Sequence, residues 1–151
     1  MKFPAQARSR ARRYSMQALY QWDLSGLAPA EIQRQFFEAE DFSKADGGYF
    51  IELLNEVHKH VDRIDRTLSE VIDRPVARLD PVERSILRIA CYELLYRHDI
   101  PCRVSINEAV LLARKFGAEQ GHAFVNGALD KLARKLRRSE FTVTDGQTAD
   151  G

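Results

Sequence analysis

Apolar residues recur along this chain at three- and four-residue steps, the spacing that places side chains on one face of an α-helix. Ala7, Ala11, Tyr14, Ala18 and Trp22 mark a first helix from about Pro4 to Ser25. Gly26 offers a left-handed stop, and Pro29 suits the first turn of a second helix with Ile32, Phe36 and Phe37 on its apolar face. Asp46-Gly47-Gly48 breaks the chain before a third helix carrying Phe50, Leu53, Leu54, Val57 and Val61. Ile64, Leu68, Val71 and Ile72 keep the same period as far as Arg74-Pro75, where proline disfavours helix at the preceding residue. The pattern leaves the boundary between His60 and Arg63 open.

The second half is punctuated more sharply. In Asp80-Pro81-Val82-Glu83 the aspartate can cap, the proline occupies the first helical position, and the glutamate can reach back as a capping box. Ile86, Leu87, Ile89, Ala90, Cys91, Leu94 and Leu95 then form a stripe wide enough for a central buried helix. Asp99-Ile100-Pro101 ends it. Ser105-Ile106-Asn107-Glu108 repeats the capping pattern and predicts a helix through Val110, Leu112, Ala113 and Phe116 to Gly117. A last helix holds Phe124, Val125, Ala128, Leu129, Leu132 and Leu136. No segment alternates as a half-buried strand does. The expectation is an all-α bundle of about six to seven helices. Residues 1–138 form one domain, with halves of about 1–74 and 79–138 joined at Arg74–Leu79, and the polar residues 139–151 form a disordered tail.

Composition narrows the class. With 151 residues, 44% of them apolar, the chain can bury a single core, and its longest apolar runs fall far short of the roughly 20 residues that cross a bilayer. No apolar leader opens the sequence. Two cysteines, Cys91 and Cys102, make no disulfide framework, so a reducing cytoplasm is expected. The net charge of +1 conceals an asymmetry. Lys2, Arg8, Arg10, Arg12 and Arg13 precede the first acid, and Lys131, Arg134, Lys135, Arg137 and Arg138 cluster near the other end. Basic ends on a neutral chain point to a localised anion-binding surface.

Candidate chemistry is sparse. His58 and His60 lie two apart on a helix and diverge by about 200°, so they cannot share an ion. His98 and His122 have no carboxylate or cysteine at ligand spacing, and no metal or cofactor is expected. Cys91 falls in the apolar stripe, and Cys102, following a proline, is at most exposed. The chain has no P-loop, no glycine-rich dinucleotide turn and no Gly-x-Ser-x-Gly. Binding fits better than catalysis. Arg8 and Arg12 are one turn apart and can meet successive phosphates, with Arg13 beside them. Tyr20 could stack on a base or join the core, whereas Trp22 reads as core. Asn126-Gly127, inside a helix, predicts tight packing or a specific surface.

Four stretches together resemble the NusB family of transcription antitermination factors. They are Ala11-Arg12-Arg13 leading into Gln17-Ala18-Leu19-Tyr20-Gln21-Trp22, then residues 86–94 (Ile86-Leu87-Arg88-Ile89-Ala90-Cys91-Tyr92-Glu93-Leu94), then Val104-Ser105-Ile106-Asn107-Glu108-Ala109-Val110, then Phe124-Val125-Asn126-Gly127-Ala128-Leu129-Asp130-Lys131. The likeness spans about residues 5–137. It implies two packed three-helix subdomains and a protein that binds the boxA element of nascent ribosomal RNA transcripts. The implied partner is NusE, a small-subunit ribosomal protein, within the RNA polymerase antitermination complex that resists Rho-dependent termination.

By position, the resemblance makes Arg8, Arg10, Arg12, Tyr20, Arg103 in a connecting loop, and Phe124 RNA-facing, and places Glu83 on the partner side. Three departures bear on this: Ser9 interrupts an arginine run, Arg13 stands where an acid is common, and Ala123 stands where a lysine can occur. Two other readings remain open. One is an RNA-binding accessory domain like that of ribosomal RNA cytosine methyltransferases, and the other is a structural homodimer.

Overall fold

Short polar and glycine signals set the helix ends in the computed structural model, which describes residues 5–141. Helix α1 (Ala5–Ser25) stops at Gly26, whose φ of 71° is the left-handed turn that glycine adopts without a Cβ penalty. Pro29 opens α2 (Pro29–Ala39). Asp46 caps α3 (Gly47–Lys59) by accepting the Tyr49 amide at 3.0 Å, so the two glycines expected to break the chain form the first turn instead. The open boundary resolves at His60, where α3 yields to α4 (Val61–Ser69). A 3-10 turn (Val76–Arg78) occupies the expected joint.

Asp80 then accepts both the Val82 and Glu83 amides at 3.1 Å and starts α5 (Pro81–Tyr96). Helix α6 (Cys102–Phe116) and α7 (Gly121–Leu136) follow. Helix α6 begins one turn earlier than the Ser105 signal predicted. Pro101 sets the entry, Ser105 is buried inside the helix, and Arg103 lies on its first turn, not in a loop.

Helices α1, α2 and α3 pack on one another, as do α5, α6 and α7, and α1 and α4 both lie against α5. The two halves share one continuous apolar cluster. Helix α5 is its axis, buried on every side, with Leu87 and Leu94 wholly enclosed alongside the polar Ser85, Arg88 and Glu93. Each fully buried leucine contributes roughly 1.5–3 kcal/mol, so the stripe read from the sequence anchors the fold. Helix α1 runs antiparallel to α5, since Arg12 meets Glu93 while Asp23 meets Arg84 and Arg88.

The structured region extends past Arg138. Residues 138–141 are helical, and the Glu140 carboxylate accepts the Cys102 amide at 2.8 Å and the Arg137 guanidinium at 2.6 Å. The expected disorder is therefore corrected for residues 139–141. The remainder of that tail, with Lys2, lies outside the described residues.

Candidate nucleic-acid interface

The first turns of α1 sort the arginines by depth. Arg8 is part-exposed, its guanidinium 4.8 Å above the Tyr49 ring and 3.8 Å from Asp46. Arg10 donates to the Lys44 backbone carbonyl at 3.2 Å and has no carboxylate partner among the described residues. Arg13 stands over the Tyr14 ring at 5.2 Å. Arg12 goes the other way. It is 4% exposed, with Nε on Glu93 at 2.8 Å and a terminal nitrogen on Glu108 at 3.0 Å. Burial pushes its pKa down, but the carboxylate of Glu93, with Tyr49 and Glu108, more than restores it, and the guanidinium ends above its ordinary value.

This corrects the reading of Arg12 as a phosphate contact alongside Arg8. Residues four apart share a face, but here that face rolls from solvent into the interior. The tyrosine hydroxyl of Tyr49 also donates to Glu93, and Ser9 donates to Glu108. One buried network thus ties α1, α3, α5 and α6 together beneath the exposed arginines.

Arg103 is exposed on the first turn of α6, with no carboxylate partner among the described residues. Asp99, in the preceding loop, is held at about 2 chiefly by the Arg97 guanidinium, and also feels Arg8. Arg8 therefore lies within electrostatic reach of the loop that follows α5.

Tyr20 is 36% exposed at the other end of α1, roughly 18 Å further along at 1.5 Å per residue. Trp22 is half-buried rather than core. Its ring meets His58 edge-on at 5.1 Å and carries Arg88 above it at 5.6 Å. Phe124 is half-buried on the first turn of α7, with Arg74 stacked over it at 4.5 Å. No sequence signal marked Arg74, which sits in an irregular link and finds Phe124 only through the fold.

Glu83 is 7% exposed. Burial, then the nearby Asp80 charge, raises its pKa, while the Ala118 backbone hydrogen bond opposes the shift. Its side chain does not complete the capping box. A Cβ added to Gly121 would lie 2.5 Å from Glu83 Oε2, so the bare glycine is what lets this carboxylate fit against α7. Glu83 is thus an internal strut, buried against the start of α7. Gly127, which the sequence marked for close packing, has nothing within 4 Å of an added Cβ, and Asn126 beside it is exposed.

At the other end of α5, Arg137 is 4% exposed and donates to the carbonyls of Glu93, Leu94, Arg97 and Ile100 at 2.9–3.0 Å. An apparent member of the basic surface cluster is therefore a helix cap. Cys91 is fully enclosed, and burial pushes its thiol up to about 12, while Cys102 is buried as well. Among the described residues no group of His, Cys, Asp or Glu is placed to hold a metal, and no helix is long and apolar enough to cross a membrane.

Comparison with known proteins agrees with this frame. The NusB family model matches residues 9–134. The transcription antitermination protein NusB of Alcanivorax borkumensis is 49% identical over 134 residues, 89% of either chain. That of Pseudomonas savastanoi pv. phaseolicola is 50% identical over 133 residues, 88% of this chain and 81% of its own. Among solved structures, T. maritima NusB superposes with a TM-score of 0.78 at 30% identity, covering 94% of this chain and 99% of that one. The antitermination factors NusB and NusE in complex with dsRNA give 0.78 at 26% identity, covering 87% and 99%. On the strength of a match that runs from the second turn of α1 nearly to the end of α7, the chain belongs to the NusB family.

Proposed function

We propose that this protein is a transcription antitermination factor that binds boxA-type RNA of nascent ribosomal RNA transcripts together with a NusE-type small-subunit ribosomal protein. The pair joins the RNA polymerase antitermination complex in the cytoplasm and opposes Rho-dependent termination. Its mechanism is stoichiometric binding, without bond-making steps. The relatives that share about half its residues carry the antitermination name, and a neighbouring fold was solved with NusE and dsRNA.

One observation carries the RNA part of the reading. Arg8, Arg10 and Arg103 stay at the surface while Arg12, between them in sequence, is drawn inside to brace the platform beneath. Guanidiniums on a rigid base neutralise phosphates without first having to be ordered. Tyr20 and the Arg74-backed ring of Phe124 then offer faces for bases. The partner docks beside the first turn of α5, where Glu83 shapes the surface from below.

The test is a boxA RNA titration with and without the NusE-type protein, against a scrambled RNA of equal length. The expected result is tighter, salt-sensitive binding by the pair and clear preference for boxA. Equal affinity for both RNAs, unmoved by the partner, would refute it.

A further inference from the structure

Helices α1 and α6 approach each other where Ser9 donates to Glu108, and Arg13 and Lys115 line the cleft there. This open groove of about 200 Å³ is lined by the cations Arg10, Arg13 and Lys115 and by the apolar Leu111, Leu112 and Phe116. We infer that this groove takes one nucleotide of single-stranded RNA, with its phosphate on the three cations and its base against Leu111 and Phe116. The inference rests on the RNA-binding reading above.

Charge is the first argument. Arg34, Arg84, Arg88, Arg97 and Arg134 each hold a carboxylate. Among the described residues Arg10, Arg13 and Lys115 hold none; their contacts are a carbonyl oxygen and two aromatic rings. The groove's acid, Glu108, is already occupied by Arg12 and the Ser9 hydroxyl, so it subtracts little from the positive potential. Three unneutralised cations around one cleft favour a phosphate over any neutral ligand.

The apolar lining is the second argument. Leu111 is 60% exposed, and Phe116 is half-buried with Lys115 5.6 Å from its ring centre. Apolar surface ringed by cations suits a nucleotide, which joins a flat base to a charged backbone. Position is the third. Arg13 and Tyr20, seven residues apart, share a face of α1, so a strand held at the groove can continue along the helix to Tyr20. Lys115 carried no mark in the sequence, because a cation in a helix's last turn is explained by the helix dipole alone.

The experiment uses the full chain with its NusE-type partner and boxA RNA at several salt concentrations. In Arg13→Ala with Lys115→Ala, loosening the one phosphate held there should flatten the slope of log K against log salt by up to about 0.7. Equivalently, the wild-type advantage should shrink up to about 2.6-fold between roughly 50 and 200 mM salt. Leu111→Ser should weaken binding severalfold with the slope unchanged. Photo-crosslinking of thiouridine-substituted RNA to the wild type should label the peptide containing residues 111–116, a readout independent of any variant's folding.

If the wild type binds RNA but the double variant keeps its affinity and slope, and no crosslink falls on α6, the groove assignment is wrong while the parent reading stands. Loss of an acidic peptide or partner protein with RNA binding intact would make the groove a peptide site and overturn the inference. A wild type that binds no boxA RNA removes the parent reading and the inference together.

Discussion

Replacing Arg12 by alanine separates a structural arginine from an RNA-binding one. Arg12 and Glu93 are 4% and 1% exposed and meet at 2.8 Å. Glu93 takes both Arg12 and Tyr49 on Oε2, and no hydrogen-bond partner reaches its Oε1 among the described residues. Removing the guanidinium therefore strands a carboxylate that already has spare acceptor capacity. Breaking a buried pair from one side costs about 3–5 kcal/mol. In a chain of this size each kcal/mol moves the melting temperature by roughly 2–4 °C, so Arg12→Ala should melt about 6–20 °C lower. Removing both charges, as Arg12→Met with Glu93→Gln, should recover most of that loss, because no bare charge is left inside. Thermal and urea denaturation of the wild type, the single variant and the double variant measure the effect. RNA titration below the melting point should give the wild-type salt slope, since no phosphate contact has been lost. A variant of unchanged stability whose slope falls by about 0.7 would refute the argument and make Arg12 a phosphate ligand after all.

Two glycines should respond with opposite signs. Gly121→Ala forces Glu83 to move and should cost about 1–3 kcal/mol, whereas Gly127→Ala meets open space inside a helix and should gain about 0.4–1 kcal/mol in urea denaturation. A destabilised Gly127→Ala would contradict the open surroundings. Glu83→Gln tests the strut. Because burial raises the Glu83 pKa above its unfolded value, this group's stability is greatest below the unfolded pKa and is lost as pH rises through the folded one. Relative to the glutamine variant, the wild type should become less stable as pH rises from the ordinary glutamate value of about 4.3 through the raised folded one. A pH-independent difference would mean that the carboxylate is solvated.

Local periodicity made most of the fold legible. The apolar stripe of α5, the Asp80-Pro81 start and the Gly26 stop each depend on residues within a turn or two, and each stands where the sequence placed it. The signals that failed were weak local ones overruled by packing. Ser105 could cap a helix, but Pro101 starts α6 a turn earlier and buries Ser105. Asn126-Gly127 implied crowding where there is none, while the close contact lies at Gly121, a glycine at a helix start that the pattern treats as ordinary.

By itself, then, the sequence determined an all-helical chain with basic ends, four motifs in the order of the NusB family, and the set of arginines and aromatics from which an RNA surface can be built. The fate of each charge was decided only in three dimensions. Arg8 and Arg12 are equivalent on a helical wheel, but Glu93, 81 residues away in sequence, draws one inward and leaves the other at the surface. Arg137 reads as part of a basic cluster and becomes a cap because four carbonyls converge on it from the end of α5 and the loop beyond. Glu83 reads as an exposed cap residue and is covered because α7 starts with a glycine against it. Helix formation follows from neighbours along the chain, whereas a charge settles where distant partners and exclusion from water leave its energy lowest.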